Sequence, residues 1–238
     1  MDFETAPGEN LAVKNKTTVQ YKINNNTLWL RFNAKDTNAE QIRAQTRERD
    51  NISGNDAVGV LIAPAGTGGN EAFAFWVSAA GVQMDSHWSE ARQEEDQAWN
   101  ARWTSEVTRD ANGYQVEISI PLSQLPLPAN SKQQWGVDFR RSLPREANYQ
   151  YASQKIDKSK SCMVCLFEPI NVELDQGLSL SEFEGAISWL ETGLRREESS
   201  QPTNHQRESN IGLDLTWRPI RGGSLALVLN PDFSQVES

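Results

Sequence analysis

Few side chains in this sequence are equipped for catalysis. Only two histidines, His87 and His205, offer bases near neutral pH, and there is no G-x-S-x-G, no H-E-x-x-H and no phosphate-cradling glycine loop. Acidic residues are too common for spacing alone to pick out the facing carboxylate pair a glycosidase needs. No catalytic residue is assigned, and a non-enzymatic role is expected. Binding chemistry has more to draw on. Asp36, Asp50, Asn55 and Asp56 supply hard oxygen ligands of the kind calcium takes, or else are solvated turn residues. Cys162 and Cys165 stand as C-M-V-C, too few for a structural zinc site, and read as a local disulfide or two free thiols. Of the eight tryptophans, Trp135 shares a face with core residues, whereas Trp29 and Trp76 oppose their apolar neighbours and Trp88 sits in polar surroundings.

Strands are expected to hold these side chains. In the stretch 113–145, Tyr114, Val116, Ile118 and Ile120 alternate with Gln115, Glu117 and Ser119, the period of a half-buried strand. After a connection fixed by Pro121, Pro126 and Pro128, Trp135, Val137 and Phe139 turn inward against Gly136, Asp138 and Arg140. The same alternation runs through residues 18–23 and then 27–36, with Leu28, Leu30, Phe32 and Ala34 on one face and Trp29, Arg31 and Asn33 on the other. Between them Asn24, Asn25 and Asn26 tolerate the left-handed backbone of a hairpin turn. The run AVGVLI at 57–62 is apolar on both sides, as a central strand covered on both faces would be. Residues 72–77 and 81–85 form a further pair. The acidic stretch 86–97 reads as a surface loop, and 146–165 as polar and loop-like. Strand periodicity returns near Ile170 and continues through 187–195, 211–217 and 225–229, past Leu178 and Leu180, with polar loops at 197–208 and 219–223. Long loops at one end and short turns at the other also describe a transmembrane β-barrel. The chain stops at 231–238 without a closing strand, as a piece of something longer would.

At 238 residues there is room for one large β domain or for one domain and an appendage. A formal net charge of -9 argues against nucleic acid as a partner. No apolar run reaches the length of a membrane-spanning helix, and residues 1–13 lack the layout of a signal peptide.

TLWLRFNAKD, NDAVGVLIAP, AFAFWVSAAGVQMD, AWNARWTS, GYQVEISIPLSQL and QWGVDFRRSLPRE, in that order, resemble the family 9 carbohydrate-binding-module-like domain, in the version that precedes an outer-membrane β-barrel region. The ending LNPDFSQVES resembles the phrase that opens the barrel part. The resemblance implies an antiparallel all-β sandwich of jelly-roll type over 1–169, with β-hairpins that begin a barrel over 170–238. It implies location in the periplasm or outer membrane of a Gram-negative bacterium, where the cysteine pair could be oxidised. It also implies structural calcium, a polysaccharide or oligosaccharide ligand held by aromatic stacking, and the chain's own barrel region as a partner. Sugar-binding members clamp the ligand between two aromatic residues; here the first position falls at Ser53 and Gly54, which carry no ring, and the second is offered by Tyr149 and Tyr151. With Trp88, Trp76 and Trp29 these are the aromatic candidates. The expected role is to bind or gate a glycan. The alternatives are a structural plug of the barrel without a small ligand, or an accessory module of a glycoside hydrolase or a haem carrier, for which Met84, Met163 and His87 are the non-lysine axial candidates.

Overall fold

The computed structural model describes residues 1–128, 130–174, 182–194, 206–218 and 225–229. In chain order the strands are β1 (Phe3–Ala6), β2 (Leu11–Ala12), β3 (Thr17–Asn24), β4 (Thr27–Lys35), β5 (Ala57–Ala63), β6 (Glu71–Ser78), β7 (Gln83–Ser89) and β8 (Glu94–Asp96). They continue with β9 (Thr104–Asp110), β10 (Gly113–Pro121), β11 (Lys132–Pro144), β12 (Asn148–Ala152), β13 (Glu168–Glu173), β14 (Glu182–Leu194), β15 (Gln206–Arg218) and β16 (Leu225–Leu229). Among the described residues every pairing is antiparallel, and by contact the chain forms two units, Met1–Leu178 and Ser179–Ser238.

The first unit is a sandwich. One sheet runs β2-β1-β12-β11-β5-β6-β7-β8, with β13 also on β11, and the other runs β3-β4-β10-β9. Alternation decides which side chains meet between them. From the smaller sheet come Leu28, Leu30, Phe32 and Ala34 of β4 and Val116, Ile118 and Ile120 of β10, all buried. From the larger come Val58, Val60 and Ile62 of β5, Phe75 and Val77 of β6, and Trp135 and Val137 of β11. Phe32 meets Phe139 across the gap, edge to face with centroids 6.0 Å apart. The expected hairpin at 24–26 is formed, with Asn25 and Asn26 both at positive φ.

As its sequence requires, β5 is buried along its whole length. Its outer face is covered by a second, smaller core in which Leu61, Ala63, Ala72, Ala74, Val164 and Phe167 pack with Trp76, Trp88 and Met163. Trp76 lies directly over Gly59, where an added Cβ would stand 2.4 Å from the indole. The strap that closes this core carries a disulfide between Cys162 and Cys165. It is tied down by the Val164 N–H, which donates to the Glu90 carboxylate at 2.6 Å.

Two segments read as loops are strands. Residues 86–97 instead continue β7 and turn back as β8, with the Ser86 hydroxyl donating to Glu95 at 2.6 Å. Within 146–165, β12 lies between β1 and β11. The contact boundary also lies beyond 169/170, because β13 zips onto β11 from Lys132↔Glu173 to Val137↔Glu168.

The second unit is a meander in the order β14-β15-β16, and the exposed leucines Leu225, Leu227 and Leu229 share one face of its last strand. Residues 206–208 of the expected loop belong to β15. Leu178, Leu180, the turn at 219–223 and the ending at 231–238 lie outside the described residues.

Candidate functional site

Because inward positions of β4 and β10 fill the core, their outward positions make an open surface on the smaller sheet. Along β4 that surface carries Trp29, Arg31, Asn33 and Lys35 in line. Register sets Trp29 beside Lys22 and Ser119, Arg31 beside Gln20 and Glu117, and Asn33 beside Thr18 and Gln115. Trp29 is 43% exposed, an unusual position for so large an apolar ring. It borders a shallow depression of about 340 Å³ with Gln20, Tyr21, Lys22, Arg31 and Glu117. Arg31 and Glu117 pair at 2.7 Å, and the Gln115 amide donates to the same Glu117 oxygen at 3.3 Å. A flat apolar ring flanked by donors and acceptors is what a pyranose requires, C–H face on the indole and hydroxyls on the polar groups.

The other aromatic candidates lie elsewhere. Trp76 and Trp88 belong to the small outer core, and the Trp88 indole N–H is buried there. Tyr151 is buried at 3% exposure. Tyr149 is half-buried on the larger sheet; its hydroxyl donates to Glu146 at 2.7 Å, which holds that carboxyl below its usual value. Trp29 is therefore the one of the five that is exposed.

The oxygen-rich residues are also divided. Asp36 and Asp56 do come together, but around arginines: Arg145 bonds Asp56 through both oxygens at 2.7 and 2.8 Å and reaches Asp36 at 2.9 Å, while Arg141 reaches Asp36 at 3.2 Å. Remaining capacity goes to backbone, with Arg43 N–H on Asp56 at 2.8 Å and Asn38 N–H on Asp36 at 2.9 Å. Asn55 holds Gln45 through both its amide atoms. Asp50 lies apart, its carboxylate 3.9 Å from Arg49. These four do not fit a calcium ion, since guanidinium groups already occupy the carboxylates that the cation would need. Among the described residues, no three His, Cys, Asp or Glu side chains gather as a metal site. Burial alone would lower the Arg145 guanidinium, but its hydrogen bonds and charge pairing with Asp56 and Asp36 outweigh it and raise the group above its ordinary value.

Sequence reasoning missed this network. Its signal was there in β11, where the inward alternation Trp135, Val137, Phe139 continues onto Arg141, which is fully buried with its guanidinium 5.4 Å from the Tyr114 ring centroid. A second buried pin joins Arg49 to Asp85, which also accepts the Ala101 N–H. Met84 and Met163 are separated too: Met84 lies opposite Trp76 on β7, while Met163 packs on the small outer core. His87 faces the other way, stacked on Phe73.

With this geometry established, comparison with known proteins identifies the domain. Residues 6–146 match the family model for the carbohydrate family 9 binding domain-like proteins. The chain belongs to that family. No curated protein matches it. A solved structure of a candidate carbohydrate-binding protein from Bacteroides uniformis ATCC 8492 is similar in fold at 10% identity, with a TM-score of 0.54 over 68% of this chain and 80% of that one. Within the family 9-like frame, the clamp position at Ser53 and Gly54 falls in an exposed turn without a ring. Trp29, an exposed ring among the described residues, stands on the sheet face instead.

Proposed function

We propose that this chain is a non-catalytic carbohydrate-binding module that lays its glycan on the outer face of the four-stranded sheet, with Trp29 as the stacking platform. The observation that carries the reading is the indole of Trp29, open to water beside the Arg31–Glu117 pair. Membership in a carbohydrate-binding-like family supports the ligand class. Assignment to the periplasm or outer membrane is supported by the Cys162–Cys165 disulfide, a bond that persists in oxidising compartments. Association with an outer-membrane barrel is supported by the meander of β14 to β16, since alternating exposed leucines are how barrel strands meet lipid. In that setting the module binds or gates a glycan at the barrel.

Calorimetry against a panel of neutral and acidic polysaccharides tests the reading. Trp29→Ala is expected to weaken the best ligand about tenfold, the worth of one stacking contact of ~1.4 kcal/mol. Silence across the panel, or a Trp29→Ala chain that binds as well as its parent, overturns it. Silence would leave the second reading, favoured by the same three leucines: a structural plug or assembly domain whose partner is its own barrel.

A further inference from the structure

The sheet face that carries Trp29 does not end there. Two residues further along β4, beyond the row of Arg31 and Glu117, it passes into a groove of about 740 Å³ between the ends of β3, β4, β9 and β10. Lys14, Lys16, Lys35 and Arg109 line it, all exposed, and none has a carboxylate within 4.0 Å among the described residues. Lys16 lies beside Lys35 on the face of Trp29, whereas Arg109, in register with the buried Tyr114, reaches the groove from the other side of the sheet's end. Against these four cations the lining offers two acids. Asp36 is already neutralised by Arg141 and Arg145, which leaves Asp110, itself accepting the Asn112 N–H at 2.7 Å.

Four unpaired cations in one groove are out of keeping with a chain of net charge -9, whose average surface should repel an anion. Their convergence depends on tertiary register, because Lys35 comes from β4, Arg109 from β9, and Lys14 and Lys16 from the approach to β3. The floor depends on Gly113, at φ +142, where a Cβ would stand 2.1 Å from the Ala34 carbonyl oxygen. With no side chain between Lys35 and Asp110, its neighbours in register, the groove stays open.

We infer that the ligand is an anionic polysaccharide, bearing carboxylate or sulfate, laid along β4 with one sugar on Trp29 and its charged groups in the groove of Lys14, Lys16, Lys35 and Arg109. This rests on the carbohydrate reading and adds the charge of the substrate. The distance suits a chain of several sugars: from Trp29 to Lys35 is six residues, roughly 20 Å at about 3.4 Å per residue. Asn33, Gln115 and Thr108 lie in one cross-strand row over that span as hydroxyl partners.

The test uses the full chain with polygalacturonate, its fully methyl-esterified form and a sulfated galactan as probes, and single-stranded DNA as a control polyanion. Tighter binding of a charged glycan than of the ester is expected, weakening as salt is raised. The double variant Lys16→Gln, Lys35→Gln should lose about tenfold toward the charged glycan, with the ester unchanged. Preference between the polyuronate and the sulfated chain identifies the anion. Equal affinity for acid and ester, undisturbed in the double variant, overturns the charge inference while the carbohydrate reading stands. Binding of none of the glycans overturns both, and DNA bound more tightly than any glycan overturns the inference in favour of a nonspecific polyanion site. Both lysines are exposed and unpaired, so an unaltered unfolding midpoint keeps the comparison clean.

Discussion

Asp56 is fully buried, and its two carboxylate oxygens meet Arg145 in the fork-to-fork geometry that makes such pairs strong. The arrangement joins the start of β5 to the end of β11, and through Asp36 to the end of β4, so one charge cluster fixes the relative position of both sheets. Removing one partner leaves an uncompensated charge in the interior, which costs more than the pair itself contributes. Arg145→Met is therefore expected to destabilise the sandwich by about 3–5 kcal/mol, read as a fall in the denaturant midpoint. Arg31→Met, which breaks a pair exposed on both sides, should cost under about 1 kcal/mol. Equal effects from the two variants would show that the buried cluster holds nothing together.

At the scale of strands and straps, the outer core decides how two of the tryptophans are used. Gly59→Ala would drive a methyl into the Trp76 indole, so the ring must lift from β5 and loosen the strap over it; about 1–3 kcal/mol of stability should go, with a shift in tryptophan fluorescence. Glycan affinity should hold, because Trp29 lies on the other sheet. A variant of full stability would mean that Trp76 is free to move and not part of a core. Of the strands legible in the sequence, β4, β10 and the first half of β11 have one oily and one wet face, and β5 is apolar on both. The second half of β7 was hidden because Ser86 and Ser89 are buried although polar, as is Asp85 before them, satisfied by Arg49 and the Ala101 amide. Once polar groups pair inside, hydropathy no longer alternates. β12 was hidden for another reason: Tyr149 and Tyr151 do alternate with Asn148 and Gln150, but the run is only five residues long and opens a polar stretch. Alternation set Trp29 and Trp76 alike opposite their apolar neighbours, and only the outer core, which covers Trp76, leaves Trp29 as the open one of the two. The four cations of the groove could not be picked out from alternation, since only the register of β3, β4, β9 and β10 gathers residues so far apart in sequence.

For the molecule as a whole, what matters is whether the sandwich depends on the rest of the chain. Its core is closed from within. β13 returns to β11, the Leu174 N–H reaches the Ser131 carbonyl at 2.7 Å, and the amino terminus donates to the Thr17 carbonyl at 2.8 Å. Burial lowers the pKa of that ammonium, yet the bond ties the first residue to β3. The meander is a different case. Three antiparallel strands in one layer have only one sheet to bury, and Leu225, Leu227 and Leu229 stay exposed, so its stability must come from something that covers it. A chain ending at Leu178 is therefore expected to fold as a cooperative unit, with the sandwich's melting temperature within a few degrees of its value in the full chain and the same affinity for glycan. Calorimetry of both chains checks this. If the shorter chain fails to fold, or folds and loses its ligand, then the sheet face of Trp29 is not sufficient for binding and the meander must be counted as part of the site.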